Sequence, residues 1–232
     1  MRRGFFVTGT DTGVGKTLIA CALLHGLARR NLRVVGMKPV AAGARLRNGR
    51  LENEDVEALV AASTVSAPVE AINPYCFEPP IAPHIAAAEA GVSIDMERLR
   101  KAYISLSNLA DCVIVEGAGG FRVPLGPTTD TADLAASLRL PVVIVVGLRL
   151  GCINHALLTA ESVARAGLRI AGWVANEIDP HMLNATQNVE TLQARLSAPL
   201  LGRVPHQMQP LAATVADNID CDVLCRADVL HD

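Results

Sequence analysis

The chain has 232 residues, half of them hydrophobic, with a formal net charge of −2. That length predicts one domain of moderate size, at roughly 100–200 residues per domain, and the balanced charge excludes the basic field of a nucleic-acid binder. The longest apolar runs, such as 141–147, fall far short of a membrane span, and the amino end runs directly into a strand, with no charged leader followed by a long apolar stretch; the expectation is a soluble, cytoplasmic protein. Six dispersed cysteines, mostly inside apolar runs, read as reduced thiols and not as a disulfide framework or a zinc site.

The first strand is expected over 5–8. It runs into Gly9-Thr10-Asp11-Thr12-Gly13-Val14-Gly15-Lys16-Thr17 and then a helix over 17–30. A phosphate-binding loop usually has a glycine, four residues, then Gly-Lys-Ser/Thr. Here the first position is Thr10 and Gly9 stands one place earlier, so the loop is longer by one residue. Glycines let backbone amides wrap phosphate oxygens, and the helix amino end favours negative charge. Lys16 would add a point charge, and the Thr17 hydroxyl would ligate magnesium. A plain glycine-rich turn is the weaker reading.

A second strand over 33–37 ends at Lys38-Pro39. Lys38 fits a lysine snorkelling from the sheet edge as well as a site residue. The helix over 54–62 is capped by Asn53, and Asp55 fits its first-turn dipole without needing a further role. After a helix over 96–110, the strand over 112–116 delivers Glu116 into Gly117-Ala118-Gly119-Gly120. An acid there suits magnesium in phosphate-loop enzymes.

The strand over 142–146 leads to Gly151-Cys152-Ile153-Asn154. Asn154 either caps a helix starting at His155 or shares with its neighbours in receiving a carboxylate through backbone amides. Asn176 ends the strand over 170–175, placed to read a purine edge or to form a turn. A helix over 183–196 and a strand over 200–204 follow, closing at Pro205-His206-Gln207. The strands are continuously apolar, as strands buried on both faces are. Their alternation with helices predicts one α/β domain, 1–232, with a mainly parallel sheet and helices on both faces.

The ordered set Gly9 to Thr17, Lys38-Pro39-Val40, Asn73-Pro74-Tyr75, Pro83-His84, Val115 to Gly120, Gly151 to His155 and Ala171 to Asn176 resembles the dethiobiotin synthetase family, from about Phe5 to Pro205. The resemblance implies a P-loop NTPase-like fold and an ATP-dependent ring closure in biotin synthesis. In it, 7,8-diaminononanoate takes up carbon dioxide as a carbamate, the carbamate attacks the γ-phosphate, and the second amine closes a cyclic urea. It implies that Gly13, Val14, Gly15, Lys16, Thr17 and Leu18 wrap the phosphates, with Gly117, Ala118 and Gly119 beside them. Thr17, Asp55 and Glu116 would bind Mg2+. Lys38, Lys16 and Thr12 would act on the carbamate and γ-phosphate, and Asn176, Glu177, Pro205, His206 and Gln207 would border the adenine. A homodimer is implied, with the substrate across its interface and its carboxylate at Gly151, Cys152, Ile153 and Asn154 of the partner chain. The chain departs from the family at Ala42, commonly a serine touching the substrate, and at Asn188, where a tyrosine meets the substrate carboxylate.

The alternative is a partition or cell-division ATPase acting as a nucleotide switch. Those proteins place a lysine five residues before the loop lysine, where this chain has Asp11.

Overall fold

In the computed structural model, which describes residues 3–226, the six expected strands pair into one parallel sheet. In chain order the elements begin with β1 (Arg3–Gly9), α1 (Lys16–Ala28), β2 (Val34–Met37), β3 (Val40–Ala42), β4 (Arg45–Arg47), β5 (Arg50–Glu52), α2 (Glu54–Ala62) and α3 (Val69–Ile72). There follow β6 (Tyr75–Phe77), α4 (Pro83–Glu89), α5 (Met96–Leu109), β7 (Cys112–Glu116), α6 (Thr131–Leu138), β8 (Val142–Leu148) and α7 (Cys152–Arg165). The chain continues through β9 (Ile170–Glu177), α8 (Ala185–Arg195), β10 (Leu200–Val204), α9 (Ala212–Val215), a 3-10 turn (Ala216–Asn218) and α10 (Cys221–Arg226). The sheet order is β10-β9-β8-β1-β7-β2, every pair parallel. The expected extent 1–232 reaches residues 1–2 and 227–232, which lie outside the described residues.

Successive strand residues enter opposite layers, which explains the unbroken apolar runs. Phe6, Val115, Ile144 and Trp173 pack under α3, α5, α6, α7 and α8. Phe5, Val7, Ile114 and Val145 pack under α1, α2, α9 and α10. Among the described residues, no helix is long and apolar enough to cross a membrane.

Helix α1 is buried nearly all round, at Ile19, Ala20, Cys21, Ala22, Leu23, Leu24 and Leu27. Sheet and α2 cover part of it; the segment after Pro205, which carries no readable pattern in the sequence, covers the rest. Cys221 and Leu224 are fully buried against this layer. Arg29 Nη1 meets Asp217 at 2.5 Å, Arg29 Nη2 donates to the Ala213 carbonyl at 2.7 Å, and Arg30 pairs with Asp222. The helix that begins at Lys16 is therefore held along its length by remote parts of the chain.

Two small pairings stand beside the main sheet: β3 with β6, parallel, and the β4–β5 hairpin over Asn48-Gly49. The first fixes the chain just after Lys38. Asn73 is buried, and its amide donates to the Lys38 carbonyl at 2.6 Å and the Tyr75 carbonyl at 2.9 Å. Helix α7 begins at Cys152, three residues before the expected start at His155, because Gly151 takes the left-handed conformation at its cap, φ 94°. Asn154 thus lies in the first turn and does not cap the helix.

Candidate active site

The loop after β1 wraps the amino end of α1 at the carboxyl edge of the sheet, where open α/β folds gather ligands. Gly9, one place before the usual first-glycine position, packs closely against the rest of the loop. A Cβ there would come 2.6 Å from Val14 and 3.1 Å from Lys16 Nζ. Gly15 caps α1 with φ 89°, a region that favours glycine. Its added Cβ would stand 2.3 Å from Asn176 Nδ2, which donates to the Val14 carbonyl at 2.9 Å. Asn176 therefore ties the loop to the end of β9, committing one amide hydrogen to backbone.

Behind the loop, four side chains meet, from α1, α2, the end of β7 and the connection after β2. Thr17 Oγ1 donates at 2.7 Å to Asp55 Oδ1 and lies 2.9 Å from Glu116 Oε1. Lys38 Nζ lies 2.8 Å from Asp55 Oδ2 and 2.5 Å from Glu116 Oε1. The sequence builds this locally: Asn53 caps α2 through the amides of Asp55 and Val56 and also donates to the Ala42 carbonyl. That cap aims Asp55 at Lys38.

Burial works against the Lys38 ammonium, but Glu116 and Asp55 outweigh it, so its pKa is raised. Burial likewise pushes the Asp55 carboxyl up, and the attraction and hydrogen bond of Lys38 reverse this to a net lowering. Glu116 is fully enclosed; burial, helped by repulsion from Asp55, raises its pKa against the pull of Lys38. Lys16 is brought down to about 8, first by burial and then by the neighbouring Lys38 charge. Its Nζ rests on the Asp11 carbonyl at 3.0 Å.

Glu116 Oε2 is buried with no hydrogen-bond partner. With Thr17 Oγ1 and the Asp55 carboxylate beside it, the donor set is all oxygen: one hydroxyl and two carboxylates. That set fits magnesium, which takes one or two carboxylates and completes its shell with phosphate and water.

These residues line one cleft of about 800 Å³, together with Thr12, Gly13, Gly15, Lys16, Ala42, Ala118 and Gly119. Val14 is buried behind the loop and Leu18 lies inside α1. Gly117 lies one step deeper, where a Cβ would press on the Phe6 ring at 3.1 Å. Glu177, Pro205, His206 and Gln207 gather at the ends of β9 and β10. Glu177 accepts from Arg203 Nε at 2.6 Å and from the His206 amide at 3.4 Å. Gly151, Cys152, Ile153 and Asn154 stand apart from the cleft lining, at the amino end of α7. Cys152 Sγ contacts Asn188 Oδ1 at 3.8 Å, so Asn188 does sit over that turn.

Lining residues given no role in the sequence-based expectations are Asp11, Val40, Gly120, Val123 and the segment 80–83; Asp11, Val40, Pro83 and Gly120 stand within the motifs that carry the family resemblance. The signals for that segment are the Pro83-His84 motif and the turn chemistry of Pro79-Pro80 and Pro83.

The fold and this loop define a phosphate-loop nucleotide-binding protein of the α/β class. In agreement, the chain is similar in structure to a chain of the Aquifex aeolicus MinC:MinD cell division protein complex, with TM-score 0.60 and 18% identity, covering 99% of this chain and 97% of that one. A ParA family ATPase from Chlorobium tepidum aligns with TM-score 0.56 and 15% identity over 98% and 94% of the two chains. These likenesses speak for the fold alone. In sequence, an AAA domain family model matches residues 3–213. ATP-dependent dethiobiotin synthetase BioD of Aromatoleum aromaticum is 57% identical over 94% of this chain and 96% of its own length. The enzyme of the same name from Nitrosospira multiformis is 54% identical over 95% and 96%. The chain belongs to the ATP-dependent dethiobiotin synthetase family.

Proposed function

We propose that the cleft converts 7,8-diaminononanoate, carbon dioxide and ATP to dethiobiotin, ADP and phosphate. One amine takes up carbon dioxide and loses a proton, giving a carbamate. A carbamate oxygen attacks the γ-phosphorus, and the bond to the β,γ-bridging oxygen of ADP breaks. The second amine then attacks the carbonyl carbon of the mixed carbamic–phosphoric anhydride, expels phosphate and loses a proton, closing the cyclic urea. No protein nucleophile is needed; the protein holds two anions together and offsets their charge.

Lys16 and Lys38, both lining the cleft, supply that charge, and Thr12 borders the reacting groups. Gly13 to Leu18 and Gly117 to Gly119 hold the phosphates. Thr17, Asp55 and Glu116 hold Mg2+, which when bound neutralises phosphate charge. The cluster of Glu177, Pro205, His206 and Gln207 borders the adenine, with Asn176 bracing the loop beside it. Ala42, on the cleft wall, meets the diamine through its methyl and backbone.

The turn at Gly151, Cys152, Ile153 and Asn154 receives the diamine carboxylate from a second copy of the chain, making a homodimer. Its position outside the lining of its own cleft supports that division, and exposed Leu150, at 93% accessibility, offers apolar surface beside it.

The observation that carries this reading is the meeting of Lys38, Thr17, Asp55 and Glu116 in the cleft bordered by Lys16 and Thr12. A switch ATPase lacks a reason for that second buried lysine, and Asp11 stands where its cross-dimer lysine would be. Purified protein mixed with Mg-ATP, bicarbonate and the diamine tests it. Phosphate release that depends on the diamine, with dethiobiotin detected by mass, is expected. Phosphate release indifferent to the diamine would remove the proposal.

A further inference from the structure

The loops after β1 and β8 are joined by a side-chain pair outside the machinery described so far. Arg149, between β8 and α7, donates from Nη2 to Asp11 Oδ2 across 138 positions of sequence. The other Asp11 oxygen, Oδ1, accepts the Thr12 amide at 2.7 Å, and the Asp11 carbonyl accepts Lys16 Nζ at 3.0 Å. One residue therefore fixes an incoming arginine, the next backbone amide and the loop lysine. Asp11 and Thr12 both line the cleft.

Beyond Thr12 the loop turns on glycines. Gly13 and Gly15 both have positive φ, 74° and 89°, and glycine adopts many other conformations at little steric cost. Anchors from outside the loop select one of them: Asn176 holds it at Val14, and Arg149 holds it at Asp11. Arg149 and Asp11 are 42% and 44% exposed, so their pair contributes little to global stability. A planar guanidinium nonetheless fixes direction as well as distance. The base of the Arg149 loop is itself held, since the Cys152 amide donates to the Arg149 carbonyl at 3.0 Å.

We propose that Arg149 is a positioning residue for ATP: by holding Asp11, it sets the crown of the phosphate loop so that Thr12 and Lys16 face the triphosphate. This rests on the assignment of that loop to ATP given above. Arg149 acts through Asp11 and touches no reacting atom.

The test is a double-mutant cycle on the full chain. Asp11→Asn keeps an acceptor for the Thr12 amide and removes the charge that Arg149 meets. Asp11→Asn and Arg149→Ala are each expected to raise the KM for ATP about ten-fold, with little change in the KM for the diamine, as for one lost charge-assisted bond. The double variant is expected to be no worse than the poorer single, because both break one linkage. Arg149→Lys, which keeps the charge without the planar fork, is expected to recover only part of the affinity, and unfolding temperatures to stay close to that of the parent. Calorimetry with a non-hydrolysable ATP analogue reads the same ratios without turnover. A double variant that loses the product of the two single effects would overturn the inference, as would single variants with parental nucleotide affinity. A parent chain that binds no nucleotide would instead overturn the assignment of the loop, and this inference with it.

Discussion

Lys38 and Glu116 meet at the back of the cleft, Nζ to Oε1 at 2.5 Å, with 6% and 1% of their side chains exposed. A buried ion pair of this kind is weak evidence for stability, since desolvation offsets most of the attraction. Its place at the mouth of two loops instead gives the cation a task. Lys38→Ala is expected to lower kcat by about 100-fold or more, in line with removing a preorganised charge from a phosphoryl-transfer site, while far-UV circular dichroism stays unchanged. Parental turnover in this variant would remove the role assigned to Lys38.

Glu116 carries the one oxygen of the cluster that is buried and without a partner. Glu116→Gln preserves volume and removes the charge. The magnesium concentration giving half-maximal activity is expected to rise about ten-fold or more, since even outer-shell changes at metal sites cost that much. A magnesium titration that overlays the parent would show that Glu116 does not ligate the ion.

Lys16, at a pKa of about 8 against an ordinary 10.5, makes nucleotide binding depend on pH. Below 8 the ammonium is charged and ready for phosphate; above 8 the free protein loses that proton, so affinity for a non-hydrolysable ATP analogue is expected to fall. Binding at pH 8 is then accompanied by proton uptake, seen as a calorimetric enthalpy that varies with the buffer. For stability the sign is opposite. Between about 8 and 10.5 the unfolded chain holds the proton that the folded chain has released, so this group makes stability rise with pH across that window. Lys16→Met should abolish the proton uptake, and its persistence in that variant would transfer the effect to another group.

Gly15 combines positive φ with an Asn176 amide where its Cβ would be. Gly15→Ala is expected to cost about 1–3 kcal/mol in backbone strain alone and to raise the KM for ATP more than Asn176→Ala does. In the double variant the steric part is relieved and the φ penalty stays, so recovery is partial. Full recovery of ATP affinity would show that the left-handed backbone is not required there.

Leu224 in α10 is fully buried against the layer that covers α1. Leu224→Ala is expected to cost about 2–5 kcal/mol of unfolding free energy, read by urea denaturation, while the KM for ATP of the folded fraction is unchanged.

The main strands were legible because a strand covered on both faces is apolar on successive residues, and 142–146 shows this without a gap. Helix α6 left little trace. Its inward residues include Thr131, Ala132 and Ala135, and its capping box closes with Asp133 in place of the commoner Glu or Gln. The β4–β5 hairpin carries an Asn48-Gly49 turn signal, but Arg45, Leu46 and Arg47 are all exposed, so no buried face sets an alternation. At the site, Lys16, Thr17 and Glu116 stand out locally, each where a strand or loop meets a helix or a run of glycines. Lys38 and Asp55 gain meaning only by meeting one another across 17 residues, and Arg149 only by meeting Asp11. Contacts of that kind leave no local pattern to read.

The wrapping of α1 by residues 212–226 also sets an order of events during synthesis. The helix that begins with Lys16 and Thr17 leaves the ribosome early, yet the segment that covers its outer side is translated close to two hundred codons later. Until then an apolar rod lies open to chaperones and to other nascent chains. A chain stopped after Val204 is expected to bind a hydrophobic dye and to be cleared quickly by cellular proteases, although every proposed phosphate and magnesium contact is already encoded in it.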